Sequence, residues 1–332
     1  MKCIDPVICY EMADGKKKAY RHFSLIHKFR LQLPHKVFNC GKCIICRKKK
    51  AYELATRCVL HASLYQQNCF LTLTYDETKS TYHNDFDYTD IQKFKKRLRR
   101  YVERNFHGKK IEIFNVHEYG KKGKKHWHLL VFGHDFADKT VYTRKNNIPL
   151  YTSKKLEELW PFGFNTLGDV SEGSAMYQAQ YMEKDVKNGN VMSHKKSHSK
   201  HSGLGRPYFI QNYKQILSLG FIPIGGRKVP LPRYFQKLAH KHYCHFYEKS
   251  AFFDTYDRKA LYRPFKKEEP NKQIADLYQT YREKKDELLI EFEKDWQDVL
   301  NRYFTDKTGT DFQKSGSNLL YDLANKSTGG NF

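Results

Sequence analysis

The most constraining feature of the sequence is the stretch KKHWHLLVFG, residues 124–133, which is apolar apart from its lysines and two histidines. An apolar run of this length predicts a buried β-strand. Side chains alternate between the two faces of a strand, so His126 and His128 share one face while Trp127 and Leu129 share the other. Two imidazoles side by side on a buried strand resemble half of a metal site.

The segments around this strand predict an alternation of strands and helices. NCFLTLTYDE predicts a second strand, and IEIFNVHEYG predicts a third, joined to the histidine strand by the hairpin loop KKGKK. Helices are predicted over residues 48–66 and over DIQKFKKRLRRYVERNF, which begins after a cap at Asp87 or Thr89. A short helix over YTSKKLEELW, a strand over FGFNTLGDV and a helix from Ser174 to about Lys187 follow.

The resulting order, β-α-β-β-α-β and then a helix, predicts an α+β fold with a ferredoxin-like, split βαβ core. In such a fold, helices cover one face of a central antiparallel sheet, and a substrate can lie on the other face. Around this core we predict a division into a cysteine-containing N-terminal segment, the core, a flexible basic linker, a basic extension, an amphipathic helical segment and a disordered tail: 1–46, 47–190, 191–205, 206–265, 266–304 and 305–332.

The charge balance indicates what kind of partner the protein binds. Lysine and arginine number 60 against 36 acidic residues, which gives a formal net charge of +24. A charge of this size favours a polyanion such as nucleic acid over a membrane surface. No apolar run approaches the roughly 20 residues of a spanning helix, and the N-terminal segment lacks the apolar core of a signal peptide. The sequence therefore predicts a cytosolic protein.

A carboxylate lies close enough in sequence to complete the metal site. Glu118 stands on the strand across the hairpin from His126, so one carboxylate and two imidazoles can meet. These are ligands for Mg²⁺, Mn²⁺ or Zn²⁺. A register shifted by one residue would present His117 instead of Glu118. The alternative is that His126 and His128 are ordinary hydrogen-bonded histidines of the core.

The helical segment AMYQAQYMEK places Tyr177, Tyr181 and Lys184 on one face, at positions i, i+4 and i+7. Tyrosine has a pKa of about 10 and is a poor nucleophile at neutral pH. A metal that polarises a phosphodiester, with a lysine to offset developing charge, would let a phenolate attack phosphorus and form a covalent phosphotyrosine. The alternative is that both tyrosines only pack against the core.

Two further groups of residues suggest binding roles. Cys40, Cys43 and Cys46 have C-x₂-C-x₂-C spacing, which is compatible with a structural zinc site or with reduced thiols at a helix start. Several residues are open as a fourth ligand: Cys3, Cys9, His35, Cys58 and His61. Nine basic residues of the second helix and the hairpin are predicted to contact the DNA backbone: Lys95, Lys96, Arg97, Arg99, Arg100, Lys121, Lys122, Lys124 and Lys125.

Several of these stretches resemble a known family. FLTLTYDE, NVHEYGKKGKKHWHLLVFG and YQAQYMEK, in this order, are similar to the three motifs of the HUH endonucleases that start rolling-circle replication. CGKCIICRKK, LWPFGFNTLGDV, GLGRPYF and VPLPRYF resemble the replication initiator proteins of gokushovirus-type microviruses, which are small single-stranded DNA phages. The resemblance extends from about Cys40 to Phe235.

The resemblance implies an enzyme with an HUH palm fold that nicks and joins single-stranded DNA. It implies that His126, His128 and Glu118 hold a divalent metal, Mg²⁺ or Mn²⁺, and that Tyr177 or Tyr181 takes the 5′ phosphate. It also implies a phage origin as substrate, the host helicase and polymerase as partners, and the host cytoplasm as location. Relatives commonly have the pattern Y-x-x-K-Y, whereas Gln180 stands in place of that lysine here.

Two other functions agree with the same residues. A transposase or relaxase would use the same chemistry on another genetic element. A basic packaging or scaffold protein would coat DNA without cutting it, and would form no covalent adduct with single-stranded DNA and Mn²⁺.

Overall fold

The computed structural model describes residues 3, 7–11, 17–21, 35–79, 87–120, 123–145, 147–184, 197–198, 203–247 and 269–285. The first strands form a small antiparallel sheet in the order β2-β1-β3. Their bounds are β1 Val7–Glu11, β2 Lys17–Arg21 and β3 His35–Phe38. No regular element was predicted for residues 1–39, because these short strands have no sustained alternation of apolar and polar residues.

A second antiparallel sheet contains the histidine strand at its centre. Its order is β10-β5-β6-β4-β9-β8-β7, with six longer strands and a two-residue strand at one edge. The bounds are β4 Asn68–Thr74, β5 Glu112–Tyr119, β6 Lys125–Phe132, β7 Thr140–Lys145, β8 Ile148–Thr152, β9 Asn165–Gly168 and β10 Ser197–His198. The predicted α+β class with a central antiparallel sheet is confirmed.

Helices cover both faces of this sheet, whereas the prediction placed them on one face. α1 (Ile44–Ala62) and α4 (Glu172–Lys184) pack on the face that carries Phe114, Leu130 and Phe132. α2 (Tyr88–Asn105) and α3 (Lys154–Leu159) pack on the face that carries Trp127, Leu129 and Val131. Because β5 and β6 are apolar on both faces, burying them requires a layer of helices on each side.

Side-chain caps define the starts of the helices. The Asp87 carboxylate accepts a hydrogen bond from the Thr89 backbone nitrogen at 2.7 Å, which identifies Asp87 as the cap of α2. From there, the predicted apolar stripe is buried: Ile91, Phe94, Leu98 and Val102. Ser153 caps α3 through a bond from the Leu156 nitrogen. α1 begins at Ile44, four residues before the predicted start.

The hairpin formed by β7 and β8 was not predicted from the sequence. Residues 140–144 of β7 are all exposed, so the strand carries no apolar alternation that would indicate it. The hairpin extends the sheet beyond β9 through the pairing of Tyr151 with Leu167.

The C-terminal part adds helices to the layer that contains α1. These elements are α5 Arg206–Leu219, β11 Phe221–Ile224, β12 Arg227–Pro230, α6 Arg233–Tyr247 and α7 at residues 272–285. Phe209, Phe235 and Tyr281 join the same hydrophobic cluster as Phe132 of the sheet. The rest of the predicted amphipathic segment, residues 286–304, lies outside the described residues. No described helix has both the length and the apolar character to cross a bilayer.

His134, just after β6, is a buried titratable group. It is 1% exposed, its ring contacts those of Tyr101, Phe106 and Phe136, and neither ring nitrogen has a hydrogen-bond partner in the described structure. Burial lowers the pKa of His134 from 6.5 to about 4. The folded protein therefore holds this ring neutral at a pH where the unfolded chain protonates it.

We expect His134 to make folding sensitive to acid. Its contribution is full above pH 6.5 and is lost as the pH falls toward 4, since only the unfolded chain binds the proton in that range. Replacing it by phenylalanine should remove a loss of up to about 3 kcal/mol in the free energy of unfolding. Urea denaturation near neutral pH and near pH 4.5 measures the difference.

The exposed His107, which has a positive φ of 50°, provides the control as His107→Asn. That variant should lose stability with acid as the wild type does. An equal loss in His134→Phe and the wild type would contradict the assignment.

Candidate active site

The pairing of three neighbouring strands brings the predicted metal ligands together. Glu118 of β5 lies directly opposite His126 of β6, and Val116 lies opposite His128. Residues that pair directly in an antiparallel sheet lie on the same face. Glu118 therefore faces the two histidines, whereas His117 pairs with Trp127 and lies on the other face.

Glu118 and His128 are in direct contact. Nε2 of His128 donates a hydrogen bond to Oε2 of Glu118 at 2.9 Å, and the two side chains are only 5% and 12% exposed. Nearly complete burial strengthens this charge-assisted bond and holds both groups in place. Burial, together with the neighbouring His128, lowers the pKa of His126. A neutral imidazole keeps the lone pair that metal binding requires.

Two threonines of β4 orient the two imidazoles. Thr72 Oγ1 lies 3.1 Å from Nδ1 of His128, and Thr74 Oγ1 lies 2.9 Å from Nδ1 of His126. A hydroxyl can donate or accept, so it stays bonded to Nδ1 in either ring tautomer. Each ring is thereby fixed through Nδ1, which leaves Nε2 as the atom that points toward a ligand.

The end of α3 and the following turn hold Thr74 in position. The Trp160 indole nitrogen donates to the Thr74 carbonyl at 3.0 Å, and the Thr74 nitrogen donates to the Phe164 carbonyl at 2.9 Å. Gly163 lies so close to β4 that a Cβ atom there would stand 2.5 Å from the Thr74 carbonyl oxygen. Only glycine fits at this point.

Gly120 leaves space beside the second imidazole. A Cβ atom at this position would stand 2.8 Å from Nε2 of His126. A side chain at residue 120 would therefore displace the ring or cover its ligand-binding nitrogen. The glycine is thus part of the site, although it contributes no side chain.

α4 brings one predicted tyrosine against the histidines. The Tyr177 ring meets His128 edge to face, with centroids 5.4 Å apart, and it also contacts Phe70, which stacks on His128. Tyr177 is nevertheless 44% exposed. A phenol that touches the candidate metal ligands and is open to solvent can meet a DNA phosphate there.

Gln178 fixes α4 to the strands. It is fully buried, and its Nε2 donates to the carbonyls of Phe114 at 2.9 Å and of His128 at 3.4 Å. The bond to His128 joins the residue next to Tyr177 to the backbone of a candidate metal ligand. Tyr181 and Lys184 also lie on α4, but their side chains are outside the described part of the structure. Their predicted roles stay predictions.

The histidine and carboxylate group is more open than a closed metal cage. Among the described residues, one group of three or more His, Cys, Asp or Glu ligands lies within 4.8 Å, and it consists of the thiols of Cys3, Cys40, Cys43 and Cys46. The ring centroids of His126 and His128 are 6.2 Å apart. The four thiols could hold a metal ion, whereas metal binding by the histidines and Glu118 stays a prediction.

The residues predicted to contact DNA differ in accessibility. Lys95 is buried and donates to the side-chain oxygen of Asn115 at 3.1 Å, and Lys125 is 2% exposed with its ammonium 4.5 Å from the centre of the Tyr75 ring. Their burial argues against the predicted phosphate contacts. Arg97 donates to the Leu159 carbonyl. The others are exposed or lie outside the described residues: Lys96, Arg99, Arg100 and Lys124 are exposed, and Lys121 and Lys122 are outside.

Sequence reasoning missed Thr72, Thr74 and Gln178 as parts of this site. The two threonines had a signal, because LTLT alternates in a strand in the same way as HWHL, and pairing the two strands places hydroxyls beside imidazoles. Gln178 had none. Its role depends on how α4 packs on the sheet.

Comparisons with known proteins agree with this geometry. A family model for replication-associated proteins of the ORF2 type matches residues 68–186, which include β4, β5, β6 and α4. No solved structure is significantly similar to the chain.

Three phage proteins share extended sequence similarity. "Replication-associated protein ORF4" of Chlamydia phage 1 is 33% identical over 248 residues, which cover 71% of this chain and 59% of that protein, less than two thirds of its length. "Replication-associated protein VP4" of Bdellovibrio phage phiMH2K is 32% identical over 63% of this chain and 69% of that protein. "Replication-associated protein ORF2" of Spiroplasma virus 4 is 29% identical over 71% and 80%. The chain belongs to the family of replication-associated proteins of gokushovirus-like microviruses.

Proposed function

We propose that this protein initiates rolling-circle replication by nicking single-stranded origin DNA through a tyrosine and later joining the strand ends. The observation that supports this best is the position of Tyr177, exposed to solvent and in edge contact with His128, which is bonded to Glu118. Membership of a family of replication-associated proteins supports DNA as the substrate. A protein that only coats DNA has no need for a buried imidazole and carboxylate pair beside an exposed phenol.

The proposed reaction is a transesterification. The tyrosine hydroxyl loses its proton, its oxygen bonds to phosphorus, and the bond from phosphorus to the 3′ oxygen breaks. The 3′ oxygen takes up a proton and leaves as a hydroxyl, which primes the host polymerase, while the 5′ phosphate stays on the tyrosine. One phosphate ester replaces another, so attack by a 3′ hydroxyl on the phosphotyrosine rejoins the strand without an energy source.

His126, His128 and Glu118 fit a divalent metal such as Mg²⁺ or Mn²⁺. Both rings are held through Nδ1 by threonine hydroxyls, and the carboxylate already lies at Nε2 of His128. Metal-bound histidines are commonly oriented in this way by a hydrogen bond to the second ring nitrogen. Such a cation, when bound, polarises a phosphoryl oxygen and stabilises negative charge that develops at phosphorus.

We propose that Tyr177 and Tyr181, one turn apart on α4, act on successive phosphates, and that Lys184 offsets charge at the reacting group. The nick would occupy one phenol with DNA and leave its neighbour to attack the regenerated origin and release a closed circle. We further propose that the core is the nuclease, that host helicase and polymerase extend the 3′ end, and that the reaction takes place in the host cytoplasm.

The decisive experiment distinguishes this function from its rivals. Incubation with labelled single-stranded DNA and Mn²⁺ should produce a covalent complex that survives denaturation. A DNA-coating protein would form none. A transposase or relaxase would form one, but on sequences other than the origin of a microvirus genome, which competition between origin and unrelated oligonucleotides would reveal.

We expect substitution of the metal ligands to abolish cleavage without unfolding the protein. Glu118→Ala and His128→Ala should each lower the rate by at least about 100-fold, because two remaining ligands bind Mg²⁺ or Mn²⁺ poorly. His117→Ala is the control, since His117 lies on the opposite face. Single-turnover nicking and circular dichroism measure the two effects. Full nicking by His128→Ala would contradict the site.

The threonines allow a graded test of the same site. Thr72→Val and Thr74→Val keep the strand shape and remove the bond to Nδ1, so Mn²⁺ should bind about 10 to 100 times more weakly. Saturating Mn²⁺ should restore most of the nicking rate in these variants. A loss that Mn²⁺ cannot reverse would indicate another role for the hydroxyls.

We expect the two tyrosines to divide the work of cutting and closing. Tyr177→Phe and Tyr181→Phe should each retain some cleavage of a short origin strand, and the double variant should retain none. Closure of circles should fail in both single variants, because one phenol remains for two attacks. Peptide mass analysis of the DNA adduct provides the check. An adduct on Tyr181 only, with normal closure by Tyr177→Phe, would make Tyr177 a packing residue.

We also expect the exposed face of α2 to contact the DNA backbone. Replacing Arg99 and Arg100 by alanine should lower the slope of log affinity against log salt by about 1.4, at about 0.7 for each lost phosphate contact with single strands. Lys214→Ala with Lys237→Ala, two exposed residues of α5 and α6, removes equal charge elsewhere. Identical slopes in both double variants would count against α2.

A further inference from the structure

The thiols of four cysteines meet at the start of α1. Sγ of Cys3 lies 3.7 Å from that of Cys43 and 3.5 Å from that of Cys46, and the Cys40 and Cys46 sulfurs are 3.9 Å apart. All four sulfur atoms lie within 4.8 Å of one another. Three come from the C-x₂-C-x₂-C run, and the fourth, Cys3, comes from a distant point earlier in the chain.

These separations match a tetrahedral metal site. A zinc ion binds thiolate sulfur at about 2.3 Å, and the edge of such a tetrahedron is about 3.8 Å. Disulfide sulfurs would stand about 2.05 Å apart, so the separations do not fit paired cystines. Ligands of an iron-sulfur cluster bind different irons, which spreads their sulfurs further apart. We propose that Cys3, Cys40, Cys43 and Cys46 together bind one Zn²⁺ in a closed structural site.

The backbone around the four sulfurs is arranged to support thiolates. The Cys40 nitrogen donates to Sγ of Cys3 and the Cys43 nitrogen to Sγ of Cys40, both at 3.2 Å, and the Cys46 nitrogen donates to Sγ of Cys43. Gly41, with φ of +70°, makes the turn that aims these groups at the sulfurs. Backbone donors of this kind stabilise a metal-bound thiolate.

Positive charge near the site offsets the negative charge of a tetrathiolate. Cys43 caps α1, and Cys46 lies in its first turn, so two of the four sulfurs lie at the positive end of the helix dipole. The ammonium of Lys50 donates to the Gly41 carbonyl at 2.8 Å, which places a full positive charge at the same turn. This arrangement favours deprotonated thiols and hence metal binding.

The site would fasten the N-terminal segment to the core. The chain between Cys3 and Cys40 contains β1, β2 and β3, so one ion would close a loop around that sheet and fix the start of α1. α1 in turn packs against α4, the helix that carries Tyr177. The zinc site is independent of the nicking reaction, since none of its ligands belongs to the candidate active site.

Elemental analysis of the purified full-length protein tests the proposal. We expect one zinc per chain, retained during dialysis against a weak chelator. Cys3→Ala should bind zinc about 100 times more weakly in competition with a coloured chelator, and Cys3→His should restore binding because histidine is also a zinc ligand. Cobalt in place of zinc should give the intense visible bands of a tetrahedral thiolate site.

Cys9→Ser is the matched control, because Cys9 lies on β1 near Cys3 in sequence but outside the thiol cluster. It should keep one tightly bound zinc. Circular dichroism of each variant separates loss of zinc from loss of folding. The proposal would be overturned by a wild-type protein without zinc, by one equivalent of iron in its place, or by full zinc affinity in a folded Cys3→Ala. None of these measurements depends on DNA cleavage.

Discussion

The antiparallel register of β5, β6 and β4 is the constraint on which the candidate site depends. Each strand contributes side chains to both faces, and a slip of one residue would move every one of them to the opposite face. In the observed register Glu118 and Thr74 flank His126 in neighbouring strands, while Trp127 points into the core between the sheet and α2. The buried indole makes the alternative register costly, because it would expose a large apolar ring and bury two polar imidazoles without partners.

The second requirement is that α4 lies against this face of the sheet. Gln178 is buried and bonds to two strand carbonyls, so α4 is held by polar contacts as well as by the apolar packing of Ala175, Met176 and Ala179. These contacts determine where Tyr177 stands relative to His128. A nucleophile carried by a regular helix, beside ligands carried by regular strands, needs little reorganisation before it reacts.

The two faces of the sheet have different roles in the proposed mechanism. The face with His126 and His128 carries the candidate chemistry, and the helices on it extend through α1 to the proposed zinc site. The opposite face is covered by α2, whose exposed arginines are proposed to hold DNA at a distance from the site of cutting. The burial of Lys95 and Lys125 shows that a strongly basic segment also contains lysines that stabilise the fold through buried contacts.

The sequence by itself determined the elements whose periodicity is strong. Alternation in HWHLLVF and the apolar stripe of α2 predicted a buried strand and an amphipathic helix, and both lie where expected. What remained open depended on partners distant in sequence. The exposed hairpin of β7 and β8 has no periodic signal, the choice between Glu118 and His117 required the pairing register, and Cys3 could be chosen from five candidates only once the chain had brought it back to Cys40. Periodicity reports which face of an element is buried, whereas the identity of the residue across the interface is decided by tertiary packing.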